Sequence, residues 1–134
     1  MPTPAQIKKL KTAAKAAASQ AYAPYSKFRV GAAVLTPTGK VYAGCNVENA
    51  SYGLCNCAER TAIFTAVAAG ESELRCMVVY TPTKTVTAPC GACRQVIYEF
   101  GPEARVISFC NGAQTIDVSI GALLPGAFGP ADLA

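Results

Sequence analysis

Residues 57–102 read CAERTAIFTAVAAG-ESELR-CMVVY-TPTKTVTAP-CGACRQVIYEFGP, and the periodicity of this stretch decides the class of fold. Cys57 to Ala69 predicts a helix, stopped by Gly70. Cys76 to Tyr80 is a short apolar run suited to a buried strand. Cys90 to Phe100 reads as a second helix, closed by Gly101-Pro102. Strands alternating with helices call for an α/β domain.

The flanks extend this pattern. Thr3-Pro4-Ala5-Gln6 is a helix start in which Thr3 caps, Pro4 fits the first turn and Gln6 reaches back. Ile7, Leu10, Ala14, Ala17, Ala18 and Ala21 then fall on one helix face, and Pro24 ends it. Phe28 to Leu35 reads as a strand, Pro37-Thr38-Gly39 as a turn, and Val41 to Cys45 as the partner strand. Downstream, Val106 to Phe109 and Thr115 to Val118 are strands around an Asn111-Gly112 turn, and Ser119 caps a brief helix through Leu124. The order predicts a three-layer α/β/α sandwich with a mixed sheet, formed as one domain over residues 1–134.

Bulk properties bound the function. With 51% hydrophobic and 15% charged residues the chain is not disordered, and its apolar excess leaves some surface for burial between subunits. The net charge of +4 is modest; Lys8, Lys9, Lys11 and Lys15 read as a solvated helix face, with no interleaved aromatics of the kind a nucleic-acid platform uses. No run of about 18 apolar residues is present to span a membrane, and the N-terminus lacks the apolar core of a secretory signal. The expected location is the cytoplasm, where seven cysteines point to metal binding or catalysis before disulfides.

The chemistry concentrates in Cys57-Ala58-Glu59-Arg60 and, 33 residues after Cys57, in the run that starts at Cys90 and ends at Cys93. At helix starts the free N–H groups and the helix dipole favour thiolates. If the two helices pack side by side, Cys57, Cys90 and Cys93 converge on one centre. Three thiolates suit a zinc ion with its fourth position left to water, whereas a structural site wants four protein ligands and the chain has no histidine. Glu59 is placed to take the proton of such a water and deliver it to a substrate. Arg60 can donate to the sulfurs and offset the net negative charge of a three-thiolate zinc site. Plain structural readings stand beside these: a CxxC can be redox-active or structural, Glu59 can close a capping box begun by Asn56, and Arg60 can be a surface arginine.

Together, Cys57-Ala58-Glu59 and Pro89-Cys90-Gly91-Ala92-Cys93 resemble the zinc nucleoside and nucleobase deaminases. Tyr22-Ala23-Pro24-Tyr25-Ser26, Phe28-Arg29-Val30-Gly31-Ala32-Ala33, Gly44-Cys45-Asn46-Val47-Glu48-Asn49-Ala50 and Leu123-Leu124-Pro125-Gly126-Ala127-Phe128 narrow the resemblance to the small homotetrameric cytidine deaminases over nearly the whole chain. The resemblance implies five strands in the sheet, one Zn²⁺ per subunit and a homotetramer acting on the nucleosides cytidine and deoxycytidine. It implies that Asn46 and Glu48 hold the ribose hydroxyls, that Phe28 packs against the pyrimidine, and that the Ala58 backbone and Glu59 read the base edge. Tyr52 and Phe128 then complete the pocket of a neighbouring subunit.

Four readings compete on these residues. A blasticidin-S-type deaminase shares the size and the three cysteines, but Asn46-Val47-Glu48-Asn49 favours a ribose pocket. A polynucleotide-editing deaminase fits poorly with a short, weakly basic chain, and no stable nucleic-acid partner is expected. A structural zinc module or a redox CxxC protein would lack turnover. Cys55 stays outside the ligand set, and Cys45, Cys76 and Cys110 read as small buried hydrophobes.

Overall fold

A computed structural model describes residues 1–134. The elements in chain order are α1 (Pro4–Ala18), β1 (Gly31–Leu35), β2 (Val41–Cys45), a 3₁₀ turn (Tyr52–Leu54), α2 (Ala58–Ala68), β3 (Cys76–Tyr80), α3 (Gly91–Phe100), β4 (Arg105–Phe109), β5 (Thr115–Ser119), α4 (Ile120–Leu123) and a last 3₁₀ turn (Pro130–Leu133). The five strands form one mixed sheet in the order β2-β1-β3-β4-β5. β1 is antiparallel to both β2 and β3, β3 runs parallel to β4, and β4 is antiparallel to β5.

That pairing fixes the orientation of two helices. Because β1 opposes both of its neighbours, β2 and β3 point the same way, and so does β4. Strands that run the same way need a crossover connection. α2 makes the crossover from β2 to β3, and α3 the one from β3 to β4. Both helices therefore begin beyond the carboxyl ends of the strands before them, on one edge of the sheet, where ligands of open α/β sheets bind.

The sheet is covered on both faces, as a three-layer sandwich requires. Leu10, Ala14 and Ala18 of α1 pack on Ala33, Leu35, Cys76, Val78 and Ile107. On the other face Ala58, Ala62, Ile63 and Ala66 of α2 and Ile97 of α3 pack on Ala32, Val34, Met77, Val79 and Val106. The residues of β3 alternate between the two clusters, the period-2 alternation of a strand buried on both sides. Of the lysine row on α1, Lys11 and Lys15 lie over the rings of Phe109 and Tyr80, at 5.4 and 5.7 Å from the centroids.

Two glycines set the helix–sheet spacing. A Cβ on Gly31 would fall 1.8 Å from the Ala14 carbonyl oxygen of α1, and one on Gly44 would fall 2.4 Å from the Ala62 nitrogen of α2. Backbone thus lies on backbone at one point of each face.

Two boundaries differ from the sequence expectation, for one reason. α1 stops at Ala18, short of Ala21 and Pro24, where the Ser19 hydroxyl donates to the Ala16 carbonyl at 2.6 Å. Beyond it Tyr22 N–H donates to Asn46 O and Glu48 N–H to Tyr22 O, which carries the chain across to the loop after β2. β1 begins at Gly31, because the backbone of Phe28 to Val30 is bonded to side chains: Phe28 N–H to Ser26 Oγ, and Val30 N–H to Asn46 Oδ1. The Thr3–Gln6 capping box, the turn at Gly39 (φ 84°) and the Ser119 cap on Ala122 N–H form where the sequence places them.

Gly31→Ala and Gly44→Ala should each lower the unfolding free energy by about 3 kcal/mol, since neither backbone contact can yield. Gly53→Ala, with open space around its Cβ position, should stay within about 0.5 kcal/mol of the parent. Urea midpoints of the three variants measure the contrast.

Candidate metal centre and active site

Cys57 is the N-cap of α2 and Cys90 the N-cap of α3; both have extended backbone and neither makes a side-chain capping bond, so their sulfurs are free for another partner. Cys93 lies one turn into α3 and is fully buried. The loop that delivers Cys57 is closed by reciprocal bonds between Val47 and Asn56, at 3.0 and 2.9 Å. Cys57 and not Asn56 caps α2, and Asn56 donates its side chain to Thr61 Oγ1, so no capping box runs from Asn56 to Glu59. That structural reading of Glu59 falls away.

The sulfurs of Cys57, Cys90 and Cys93 lie within 4.8 Å of one another, with Cys57 and Cys90 at 3.9 Å. Sulfurs held at about 2.3 Å from a tetrahedral zinc are about 3.8 Å apart, so the trio fits this ion with one position to spare. The surroundings agree. Arg60 donates from Nη2 to Cys57 Sγ at 3.2 Å, while its buried Nε has no acceptor. A half-buried guanidinium bonded to a sulfur in this way is favoured where that sulfur carries negative charge. The hydrogen bond to Cys57 in turn holds the Arg60 pKa above its ordinary value.

The Cys57 thiol is brought down to about 5, chiefly by its hydrogen bond from Cys93 and then by Arg60. Cys93 moves the opposite way, its proton held by Cys57 and by burial. One thiolate therefore forms readily and the next is harder to make, and a bound cation is what allows all three. Cys55 stays out of the group: Asn49 N–H donates to its sulfur at 3.3 Å. Cys76 and Cys110 are buried, whereas Cys45 is half-exposed.

Glu59 is 5% exposed on the first turn of α2, and burial raises its pKa. It lines a cavity of about 220 Å³ together with Cys57, Ala58 and Cys90 at the floor. Phe28, Asn46 and Glu48 form part of the wall, so Cys57, Cys90, Glu59 and these three meet in one hollow, while Cys93 is buried and does not line it. At 39% exposure Phe28 is no core aromatic. Tyr52 and Phe128 do not line this cavity; they stand 72% and 58% exposed. Tyr52 meets Tyr25 edge-on at 6.0 Å beside an adjoining hollow shared with Ser26 and Glu48.

The wall residues are themselves held. The Glu48 carboxylate accepts from Tyr25 N–H at 3.0 Å, from Ser26 N–H at 3.1 Å and from the Ser26 hydroxyl, whose hydrogen bond is the main cause of its lowered pKa. Asn46 donates from Nδ2 to Phe28 O at 2.7 Å and accepts from Val30 N–H at 2.9 Å. It retains one N–H and one lone pair for a ligand. Lys27, between Ser26 and Phe28, has φ 62°, a left-handed conformation in which this loop turns to present the Phe28 ring. Ser26, Thr81, Thr87 and Ala88 were not visible as site residues in the sequence. The last three line the cavity from the segment that follows β3, and Ser26 carries no chemical signature.

A three-cysteine zinc centre at two helix N-termini, with a buried carboxylate in the same cavity, defines a zinc-dependent hydrolytic site. Comparison with known proteins narrows this. The model of the cytidine and deoxycytidylate deaminase zinc-binding region matches residues 4–109, and the chain belongs to that family. It is 44% identical to the cytidine deaminase of Sporosarcina psychrophila, over 96% of this chain and 95% of the relative, and 47% identical to that of Halalkalibacterium halodurans, over 84% and 86%. The crystal structure of the Burkholderia pseudomallei cytidine deaminase superposes with a TM-score of 0.86 at 54% identity, covering 90% of this chain and 98% of that one. The Mycobacterium tuberculosis cytidine deaminase gives 0.79 at 40% identity, over 92% and 97%.

In zinc-stripped protein, alkylation of Cys57 should follow a titration with a midpoint near 5, slowing as the pH falls through it because the thiolate is the nucleophile. Arg60→Gln removes a donor to that thiolate, and the midpoint should move upward. Cys76, pushed up to about 11 by burial, should remain unlabelled at pH 8. Mass mapping of iodoacetamide adducts across pH reads all three.

Proposed function

We propose that this chain hydrolyses the 4-amino group of cytidine and 2′-deoxycytidine, giving uridine and 2′-deoxyuridine with release of ammonia. The observation that carries the reading is the position of Glu59, buried in the same cavity as Cys57 and Cys90 and beside the Phe28, Asn46 and Glu48 wall. Zinc held by Cys57, Cys90 and Cys93 would supply a water whose pKa is brought toward neutrality.

The chain's own residues do the rest. Glu59, with its raised pKa, takes the proton of the attacking water and passes it to N3 of the pyrimidine. Oxygen adds at C4; Glu59 then takes the proton left on that oxygen and gives it to the amino group as the C4–N bond breaks and the C4 carbonyl forms, so that ammonia leaves. The Ala58 backbone and Glu59 read the base edge, and Phe28 packs on the ring. Glu48, kept ionised by its lowered pKa, accepts a ribose hydroxyl while the free N–H of Asn46 donates to one.

No lysine or arginine lines the cavity, and two of its lining residues are carboxylates, which disfavours a 5′-phosphate and favours the free nucleoside. The same ribose-facing pair, together with relatives named cytidine deaminases, favours cytidine over a blasticidin-S-type substrate. The exposure of Tyr52 and Phe128 supports a homotetramer in which they complete neighbouring pockets. One sheet carrying both core clusters supports residues 1–134 as a single catalytic domain, serving pyrimidine salvage. No helix is long and apolar enough to cross a membrane, and three cysteines grouped for a metal support a reducing, cytoplasmic setting.

Zinc-loaded protein should convert cytidine to uridine, followed by the fall in ultraviolet absorbance. Glu59→Gln should keep its zinc and lose activity by about 10²- to 10⁴-fold; substantial turnover in that variant would remove Glu59 from the proton path. Light scattering should return the mass of four chains. Phe128→Ala should raise KM several-fold at unchanged melting temperature, and an unchanged KM counts against a shared pocket.

A further inference from the structure

The first turns of α3 carry a second set of bonds that neither the metal nor the substrate uses. Arg94 directly follows Cys93 and is half-buried. Its Nε donates to the Pro89 carbonyl at 2.7 Å and its Nη1 to the Leu123 carbonyl at 2.9 Å. Pro89 is fully buried, and its carbonyl belongs to the peptide that leads into Cys90. That carbonyl precedes the helix and lies outside its hydrogen-bond ladder, so it depends on a side-chain donor.

The other end of the fork holds the close of α4. One residue on, Gln95 Nε2 donates to the Phe128 carbonyl at 2.8 Å. One turn on, Gly129 sits against Tyr98 so closely that a Cβ would meet its ring at 2.8 Å. The segment from Leu123 to Gly129 is thus fastened along the same helix that presents two of the three cysteines.

We propose that Arg94 is a positioning residue for the zinc centre: it fixes the Pro89–Cys90 peptide against the end of α4 and so holds Cys90 in register with Cys93. The C-terminal segment is then a brace for the metal turn. A planar fork with two separated donors suits two carbonyls at fixed positions, and a lysine ammonium, a single point, serves them less well. A neutral, shorter side chain strands the buried Pro89 oxygen and frees the turn to shift.

The inference rests on the three-cysteine zinc site described above. Its test uses zinc-loaded protein and times the transfer of zinc to a chromophoric chelator, with kcat and KM for cytidine measured in parallel. Arg94→Gln should release zinc faster by about 10- to 100-fold, the range for outer partners of metal ligands. Its kcat should fall while KM holds, and Arg94→Lys should lie between it and the parent. Ile97→Val thins the core under α3 without touching either carbonyl, and should release zinc at the parent rate. Parent-like release from Arg94→Gln overturns the proposal, and so does equally fast release from Ile97→Val. A zinc-loaded parent that leaves cytidine unchanged would sink the deaminase reading, while the release rates would still judge Arg94.

Discussion

The site depends on one topological constraint: two helix N-termini must arrive side by side at the same edge of the sheet. The mixed order β2-β1-β3-β4-β5 achieves this by placing β1 antiparallel between two strands that run the same way. Each of those strands hands its chain to a crossover helix, and each helix opens on a cysteine. Had β1 and β2 formed their hairpin on the other side of β3, the start of α2 would lie away from that of α3. The glycine contacts serve the same end. Gly44 lets α2 rest on the backbone of β2, which brings the first turn of the helix low over the strand ends.

Electrostatics then makes the meeting point stable. Three sulfurs at two helix starts accumulate negative charge in a half-buried place, which would be costly alone. The helix dipoles, the exposed N–H groups and Arg60 all offset it from the protein side. The opposite pKa displacements of Cys57 and Cys93 show what happens without a cation: the second proton is retained because the first thiolate is close by. Glu59 completes the balance. Burial biases it toward the protonated form, so it adds less negative charge beside the sulfurs.

Much of this was legible in the sequence because it is periodic or local. β2, β3 and the capping box follow from alternation and cap chemistry over a few residues, and the metal trio from spacing at two helix starts. What was not legible is side chain replacing backbone. Asn46 and Ser26 take the hydrogen bonds that Phe28 and Val30 would otherwise give to a sheet partner, so the strand begins three residues later than its composition indicates. The Asn46 amide is itself a structural clip for this loop, on a residue that also lines the cavity. Arg94 follows a metal ligand in sequence, yet its partners lie five residues before it and 29 residues after it. No local pattern could have supplied the second.

The same economy explains the loop that presents Phe28. A single carboxylate, Glu48, gathers two backbone N–H groups and a hydroxyl from Tyr25 and Ser26, and Ser26 passes the constraint on to Phe28 N–H. An anion held by three donors stays ionised well below neutral pH, so the loop anchor presents one protonation state to the cavity it lines. The left-handed Lys27 is tolerated because this network determines the backbone on both sides of it. A change at Glu48 therefore alters more than the one lining residue. It also releases the segment that positions Phe28, so two lining residues of the cavity are coupled through one carboxylate.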